Sequence, residues 1–300
     1  MADAVPSLLR SSIRRPDWQD TPRESRAALL QSRICLVEDL RRSGVHSDKG
    51  PEDFCAEYQI CLPYRGLFVW HVGCEDVVGD PNQVVFVRAG EYYRMSAPVR
   101  EGYDELIITP DIAVLSEIAH RNGARLADHP LFRQRTGRAD LRSQILRARL
   151  LHRRSTESRR EDLDTEELVL NLIRATLQND HRLERPCSVQ TTRLIRRTKE
   201  FLAEQFSTCV RLADIGEAVG ASPAYLTDVF RRIEGVSLHQ YVTQLRLSRA
   251  LVELPCTDDL TGLALEIGFS SHSHFSACFR RAFGCTPSQF RHTARRSACH

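Results

Sequence analysis

The sequence predicts a multidomain α+β protein in which an antiparallel β-rich part precedes an all-helical part. Three observations support this prediction. Short runs of β-forming residues, separated by turn signals, fill the stretch from Phe54 to Thr109. After Pro110 the apolar residues return at helical spacing. In the last third of the chain, the pattern of a helix–turn–helix unit occurs twice.

The β-rich stretch contains four runs that we expect to be strands, at residues 58–62, 67–72, 84–88 and 105–109. Turn-forming residues separate these runs, at Pro63, Gly66, residues 79–82 and Gly90. This spacing is typical of a small antiparallel sheet or barrel.

The N-terminal extension has two parts. Residues 1–20 are polar and contain two prolines, so we expect them to be disordered. Residues 22–43 carry apolar side chains at a spacing that predicts a helix ending at Ser43-Gly44. These apolar side chains are Leu29, Leu30, Ile34, Val37 and Leu40.

Three helices are predicted after the β-rich stretch, at residues 112–121, 141–152 and 163–177. The last two flank a charged stretch, 153–162, and could form an antiparallel helical hairpin over about 140–178. The third carries too many apolar residues for one narrow seam. We therefore expect it to pack against the sheet, a partner subunit, or both.

Charge is distributed unevenly along the chain. Residues 186–300 hold 14 of the 42 Lys and Arg residues and 10 of the 39 Asp and Glu residues, so 28 and 29 lie in residues 1–185. A basic C-terminal third on a nearly neutral remainder suits a nucleic-acid-binding module fused to another domain. The alternative is codon bias, because only Lys49 and Lys199 are lysines.

Several classes of protein are not expected. The sequence has no run of about 18 apolar residues and no signal peptide pattern, so we predict a cytoplasmic protein with no membrane partner. The ten cysteines are scattered without any CxxC spacing and are expected to be reduced. Neither a P-loop nor a GxSxG nucleophile motif occurs, and we predict no catalytic residues and no enzyme activity.

Two segments near the C-terminus repeat each other at an offset of 49 residues, from Ser222 to Ser271. The Arg231-Arg232 pair recurs as Arg280-Arg281 at the same offset. The other matched pairs are Leu226 with Phe275, Phe230 with Phe279, Gly235 with Gly284, Ser237 with Thr286, Gln240 with Gln289, and Tyr241 with Phe290. So many matches in order indicate a duplicated unit.

Each copy predicts a helix, a tight turn and a second helix. Ser222 and Ser271 suit the N-cap of the second helix, Pro223 suits its first position, and Gly235 and Gly284 suit its end. The outward side chains that we expect to meet DNA are Ala224, Thr227, Asp228, Arg231 and Arg232 in the first copy, and His272, Ser273, Ser276, Ala277, Arg280 and Arg281 in the second. The alternative is a plain helical bundle with solvated arginines.

Residues 238–254 lie between the two copies and could form one connecting helix of about 25 Å. Two units on one rigid helix could enter adjacent major grooves on one face of DNA, about 34 Å apart. Short polar side chains would then read base edges, while arginines and helix N-termini would hold phosphates.

The segment from about 193 to 292 resembles the DNA-binding domain of the AraC/XylS family of transcription regulators. The specific positions are Ala264, Gly268-Phe269, Phe275, Phe279-Arg280-Arg281, Gly284, Thr286-Pro287-Ser288 and Phe290-Arg291. The resemblance implies a seven-helix domain with recognition helices at about 222–232 and 271–282. The chain departs from the family at Asp228 and Ala277, where arginine is common, and this predicts an unusual base preference.

Regulators of this family often couple that domain to a cupin-like β-barrel, and the resemblance extends diffusely to the β-rich stretch. It implies that the N-terminal domain senses a small-molecule effector or forms a homodimer, with RNA polymerase as a further partner if the protein is an activator. Side chains that could line an effector pocket are Trp70, His71, Tyr92, Tyr93 and Tyr103.

Metal-dependent cupin enzymes need a cluster of histidines, typically beginning HxH. The sheet block contains only His71, with His46 upstream, so we predict no metal and no cofactor there. Near the C-terminus, His272 and His274 lie two apart on a predicted helix and would point in nearly opposite directions. We therefore expect no metal site in this segment either.

The predicted organisation is an extension over residues 1–44, a cupin-like domain with a helical hairpin over 45–180, a linker over 181–192, and a DNA-binding domain over 193–300. The predicted function is a regulator that binds double-stranded promoter DNA and responds to an effector. One alternative is an N-terminal domain that only dimerises. The more distant alternative is a metal-dependent cupin enzyme fused to a DNA-binding domain.

Overall fold

The computed structural model describes residues 24–46, 48–121, 131–153, 159–178 and 188–299. The predictions of disorder over residues 1–20 and of a linker over 181–187 lie outside these ranges. The strands are β1 (Glu24–Gln31), β2 (Cys35–Arg42), β3 (Asp53–Cys55), β4 (Gln59–Gly66), β5 (Phe68–Val72), β6 (Glu75–Gly79), β7 (Gln83–Val87), β8 (Glu91–Ser96), β9 (Tyr103–Pro110) and β10 (Thr136–Arg138).

The strands form two antiparallel sheets, ordered β1-β2-β9-β4-β7-β10 and β3-β8-β5-β6. The sheets face each other, because Phe68 and Trp70 of the small sheet share a buried cluster with Val85 and Ile107 of the large sheet. The arrangement is a sandwich.

The expected closed barrel is not present in the part of the chain that the structure describes. The large sheet ends at β1 and β10 and the small sheet at β3 and β6, with no strand pairing that joins these edges. Strand β9 shows the physical reason, since it is buried along its whole length. A sheet packed on both faces, by a second sheet and by helices, stays open as a layer.

The predicted helix over residues 22–43 is wrong, because these residues form the hairpin of β1 and β2. Val37 pairs with Leu30 of β1 on one side and with Ile108 of β9 on the other. Alternate burial of Cys35 and Val37 follows the two-residue period of a strand. Pairing with β9, distant in sequence, outweighs the local helical spacing.

Three helices, α1 (Ile112–Arg121), α2 (Leu141–Leu151) and α3 (Arg159–Gln178), complete the N-terminal part. They cover the outer face of the large sheet, where Leu115, Leu146 and Leu172 pack with Ile60 and Phe86. Helices α2 and α3 coincide with the helices of the expected hairpin. No helix within the described ranges is long and apolar enough to cross a membrane.

The C-terminal part is helical. Its helices are α4 (Val189–Gln205), α5 (Leu212–Val219), α6 (Pro223–Glu234), α7 (Leu238–Glu253), α8 (Leu260–Glu266), α9 (His272–Phe283) and α10 (Pro287–Cys299), with a 3₁₀ turn at Leu254–Cys256. Helix α4 begins inside the predicted linker, since residues 189–192 are helical. Ser188 begins it by accepting a hydrogen bond from the Thr191 amide.

Helix α2 joins the two parts. Its residues Leu146 and Leu150 pack beneath the large sheet, whereas Ala148 packs in the core around α9. Between them Arg147 is buried and donates to the carbonyls of Pro63 and Pro81. It also donates to Ser248 Oγ of α7 at 2.8 Å. Helix α2 therefore contributes to the buried cores of both parts.

A buried ionic cluster lies at the same junction. Lys199 Nζ of α4 is 2.8 Å from Glu234 Oε1 of α6 and 3.5 Å from Asp80 Oδ2, and the Tyr241 hydroxyl donates to Asp80. Gln83 also donates to Glu234 Oε2, at 3.1 Å. Burial alone would lower the pKa of Lys199, but the carboxylates of Glu234 and Asp80 raise it. The cluster attaches the β6–β7 turn to the first helix–turn–helix unit.

Candidate nucleic-acid interface

The first helix–turn–helix unit consists of α5 and α6. Ile215 and Val219 of α5 pack against Leu226 and Phe230 of α6 in one buried cluster. Ser222 Oγ accepts from the Tyr225 amide at 3.3 Å and Pro223 occupies the first turn, as the sequence predicts. Gly235 ends α6 with φ 71°, a left-handed conformation that favours glycine.

The second unit consists of α8 and α9 and has the same construction. Asp259 caps α8, and Ser271 Oγ accepts from the His274 amide at 3.2 Å to begin α9. Phe275 and Phe279 are fully buried, with ring centroids 5.7 Å apart. Gly284 ends α9 with φ 74°. The repeat in the sequence therefore corresponds to two structural units with equivalent capping residues and equivalent buried contacts.

Most of the predicted contact residues face solvent. The exposed ones are Ala224, Thr227, Asp228, Arg231 and Arg232 on α6, and Ser273, Ala277, Arg280 and Arg281 on α9. His272 and Ser276 are half-buried, with His272 Nε2 3.4 Å from Ser276 Oγ. Each helix thus carries one outward polar face, beginning at its N-terminus.

Hydrogen bonds within each helix determine which groups of the Thr227 and Ser276 side chains are free to contact a partner. The Thr227 hydroxyl donates to the Pro223 carbonyl at 2.8 Å, so its methyl group and oxygen lone pairs face outward. Ser276 shares its hydroxyl with His272 and is fixed near the middle of α9. Thr227 can therefore accept a hydrogen bond or contact a methyl group.

Positive charge is concentrated at the ends of the two helices. Arg231 and Arg232 lie in the last turn of α6, and Arg280 and Arg281 in the last turn of α9. Among the residues that the structure describes, no carboxylate forms an ion pair with any of these four. Four exposed guanidinium groups without carboxylate partners suit phosphate oxygens.

Tyr225 is a surface feature that the sequence reasoning missed. Its side chain is 52% exposed in the first turn of α6, beside Ala224. Its position three residues after the N-cap Ser222 is the signal that could have shown that it faces outward. The ring adds an aromatic surface at the entrance of α6.

The two units are held together by more than the connecting helix α7. Arg246 of α7 donates to the carbonyls of Phe206 and Thr208, at 2.7 and 2.9 Å. Gly268, with φ 92°, lies so close to Ser207 that an added Cβ would be 2.6 Å from the Ser207 carbonyl oxygen. This contact needs glycine and fixes the second unit against the end of α4.

Of the five residues predicted to line an effector pocket, Trp70, Tyr93 and Tyr103 lie in the layer between the sheets, whereas Tyr92 and His71 have other surroundings. Trp70 and Tyr93 touch, with centroids 4.7 Å apart, and Tyr103 is buried near Phe68 in the same layer between the sheets. Tyr92 is 64% exposed on the opposite face, because successive residues of β8 point to opposite sides.

His71 belongs to a series of hydrogen bonds that connects the sandwich with α4. Its Nε2 is 2.9 Å from Ser96 Oγ and its Nδ1 is 2.6 Å from Asp76 Oδ1. Asp76 Oδ2 in turn accepts from Arg196 of α4 at 2.7 Å. His71 thus supports the contact with the C-terminal part.

Within the described ranges, no three His, Cys, Asp or Glu side chains lie close enough together to hold a metal ion. His274 instead packs its ring against Phe269, with centroids 5.4 Å apart.

Two capped helix–turn–helix units joined by one connecting helix are typical of a domain that binds DNA at two segments. The family model for a helix-turn-helix domain matches residues 215–293. The regulatory protein SoxS of Salmonella typhimurium is 34% identical over 94 residues, which are 31% of this chain and 88% of SoxS. The chain therefore belongs to the AraC/XylS family of transcription regulators.

Other relatives are similar over a smaller share of their length. The transcriptional activator RhaR of Klebsiella pneumoniae is 32% identical over 135 residues, covering 44% of this chain and 48% of RhaR. The chain spans about half or less of the length of the first curated relatives it matches. Among solved structures, ToxT of Vibrio cholerae is similar at 12% identity with a TM-score of 0.35, covering 88% of this chain and 99% of ToxT.

Proposed function

We propose that this protein is a sequence-specific transcription regulator that inserts α6 and α9 into adjacent major grooves of double-stranded DNA. The single observation that carries the proposal is the matched pair of capped helices, each with an exposed polar face and an exposed arginine pair. In this function Thr227, Ser273 and Ser276 read base edges. The arginines bind phosphates.

Two side chains on the outward helix faces give the proposed DNA recognition an unusual base preference. Asp228 is an acceptor and suits the amino group of cytosine, whereas Ala277 suits the methyl group of thymine. The neighbouring Tyr225 ring adds apolar contact at the entrance of α6.

We propose that the N-terminal sandwich regulates this activity, as an effector sensor, a dimerisation domain, or both. Support comes from the contacts that attach it to the DNA-binding part, which reach α4, α6 and α7. An effector would change which arrangement of the two parts is populated, so that both units engage DNA together or do not. If the protein is an activator, RNA polymerase is a further partner.

Selection of binding sites from random DNA by the full-length protein tests the central claim. We expect selected sites with two contacted segments about one helical turn apart, and affinity that falls steeply with salt. A failure to select any motif would contradict the proposal.

A thermal-shift screen of metabolites against the full chain distinguishes a sensor from a domain that only dimerises. A ligand that binds the folded state raises the melting temperature, whereas a purely dimerising domain responds only to protein concentration.

A further inference from the structure

A cavity of about 510 Å³ lies between the helical hairpin and the last helix of the DNA-binding part. Helices α2 and α3 form one wall, and α10 forms the other. This volume is in the range of small-molecule sites. The cavity lies outside the sandwich core and away from the outward faces of α6 and α9.

Opposite charges line this cavity from two facing elements. Arg149 and Arg153 come from α2 and the residues after it, and Asp164 and Glu167 come from α3. In the ranges that the structure describes, none of these four side chains forms an ion pair with another. Separated charges of both signs around one cavity suit a ligand that carries both charges.

The floor of the cavity is apolar. Ile145, Leu168, Phe290 and Ala294 supply it, and Phe290 is only 5% exposed. The ligand must therefore also have an apolar body, whose burial contributes affinity.

His152 also lines the cavity, but it is hydrogen-bonded to α7 and does not supply a third positive charge. Its Nε2 is 2.8 Å from the Leu251 carbonyl oxygen of α7, and its ring meets Phe290 edge-on at 6.4 Å. Burial lowers the pKa of His152, so the ring is neutral at pH 7.

We infer that this cavity binds a small zwitterion with an apolar body, of the size of an apolar amino acid or a dipeptide. Its carboxylate would pair with Arg149 and Arg153, its ammonium group with Asp164 and Glu167, and its side chain with the apolar floor. The inference rests on the proposed function, for which it supplies the class of effector.

The position of the cavity gives a bound ligand a route to the second DNA-binding unit. Phe290 of α10 contacts Phe279 of α9, with centroids 5.9 Å apart. Ala148 of α2 packs in the same core, and Ile145 packs against it. A ligand that bridges the hairpin and α10 therefore restricts their relative movement and with it the placement of α9.

Isothermal titration of the full-length protein with L-phenylalanine and with L-leucyl-L-phenylalanine tests the site. We expect at least one of them to bind with a dissociation constant below about 1 mM. N-acetyl-L-phenylalanine and L-phenylalaninamide each lack one charge and should bind at least about tenfold more weakly. The inference is overturned if neither zwitterion binds at up to about 10 mM, or if the analogues bind equally well.

Variants locate the binding. Arg149→Gln and Glu167→Gln should each weaken binding of the zwitterion about tenfold or more. The matched controls Arg142→Gln and Arg174→Gln alter exposed charges on α2 and α3 outside the cavity, and should change it less than about twofold. Equal effects of cavity and control variants would contradict the assigned site.

DNA affinity, measured on a selected site with and without the zwitterion, separates the inference from the proposed function. Zwitterion binding that changes DNA affinity, and that Arg149→Gln abolishes, supports both. Zwitterion binding without any DNA binding supports the site and contradicts the proposed function. DNA binding without zwitterion binding supports the proposed function and overturns the inference.

Discussion

Glu105 is a carboxyl group enclosed between the two sheets, and it makes the stability of the protein depend on pH. Burial raises its pKa from about 4.5 to about 7, partly opposed by Arg26 and Arg42. The folded state therefore binds this proton more tightly than the unfolded state. Its contribution is favourable below the unfolded pKa and is lost as pH rises through the folded pKa.

We expect Glu105→Gln to raise the free energy of unfolding at pH 8 by about 3 kcal/mol and to leave it nearly unchanged at pH 4. Urea denaturation at several pH values measures this. Glu57→Gln, at an exposed position, is the matched control, and its free energy of unfolding should depend on pH as that of the natural protein does. If the stability of Glu105→Gln falls with pH as in the natural protein, the assignment to Glu105 is incorrect.

Single side chains on α6 and α9 should separate affinity from specificity. Arg280→Ala removes the proposed phosphate contact and should weaken binding to all DNA sequences alike, with a smaller dependence on salt. Thr227→Ala and Ser276→Ala should change the preferred base at single positions, by about 1–3 kcal/mol of discrimination. Site selection with each variant measures both effects.

The matched control for these three variants is Arg174→Ala, which removes an exposed arginine of α3 in the hairpin. The DNA affinity and the base preference of Arg174→Ala should equal those of the unaltered protein. A changed base preference in Arg280→Ala, with none in Thr227→Ala or Ser276→Ala, would reverse the proposed roles.

At the scale of the elements, the N-cap of α9 makes a measurable contribution. Ser271→Ala leaves the His274 amide without its hydrogen bond and should destabilise the protein by about 1 kcal/mol. Ser273→Ala on the exposed face of the same helix is the control, and should be within about 0.5 kcal/mol of neutral. Equal unfolding free energies for the two variants would mean that the cap contributes nothing.

The ionic cluster holds α4 and α6 against the β6–β7 turn. Lys199→Met leaves Asp80 and Glu234 buried without their cation, and should cost about 3–5 kcal/mol of unfolding free energy. Adding Glu234→Gln should recover part of that loss, because one unpaired charge is removed. The control Lys49→Met alters the other lysine of the chain, which is exposed. If Lys199→Met lowers the free energy of unfolding no more than Lys49→Met does, the role assigned to Lys199 is contradicted.

At the scale of the whole molecule, we expect the two helix–turn–helix units to behave as one rigid body. Helix α7 spans about 24 Å, and Arg246 and Gly268 fix the second unit against the end of α4. Inserting about five base pairs between the two contacted segments turns one of them to the other side of the DNA. We expect insertions of about five and of about ten base pairs both to reduce affinity to that of a single segment, because a rigid pair of units cannot reach a segment that has been moved along the DNA by half a turn or a full turn. An affinity for either insertion that equals the affinity for the unaltered site would show that the units move independently.

Much of the C-terminal part could be predicted because its signals are local. A serine N-cap, a glycine end and a helical apolar stripe each depend on residues within a few positions, and the repeat from Ser222 to Ser271 doubles the signal. The strands of the sandwich were also visible in part, through turn residues and β-forming runs.

The sequence by itself therefore determined the two helix–turn–helix units, their outward faces and the family. Only the tertiary structure decided that residues 24–42 form a hairpin, that Tyr92 and Tyr93 face opposite ways, and that α2 packs in both cores. It also decided that Lys199 meets Asp80, and that charges from α2 and α3 border one cavity with α10. The physical reason is that these features depend on contacts between residues far apart in the chain, which no local pattern specifies.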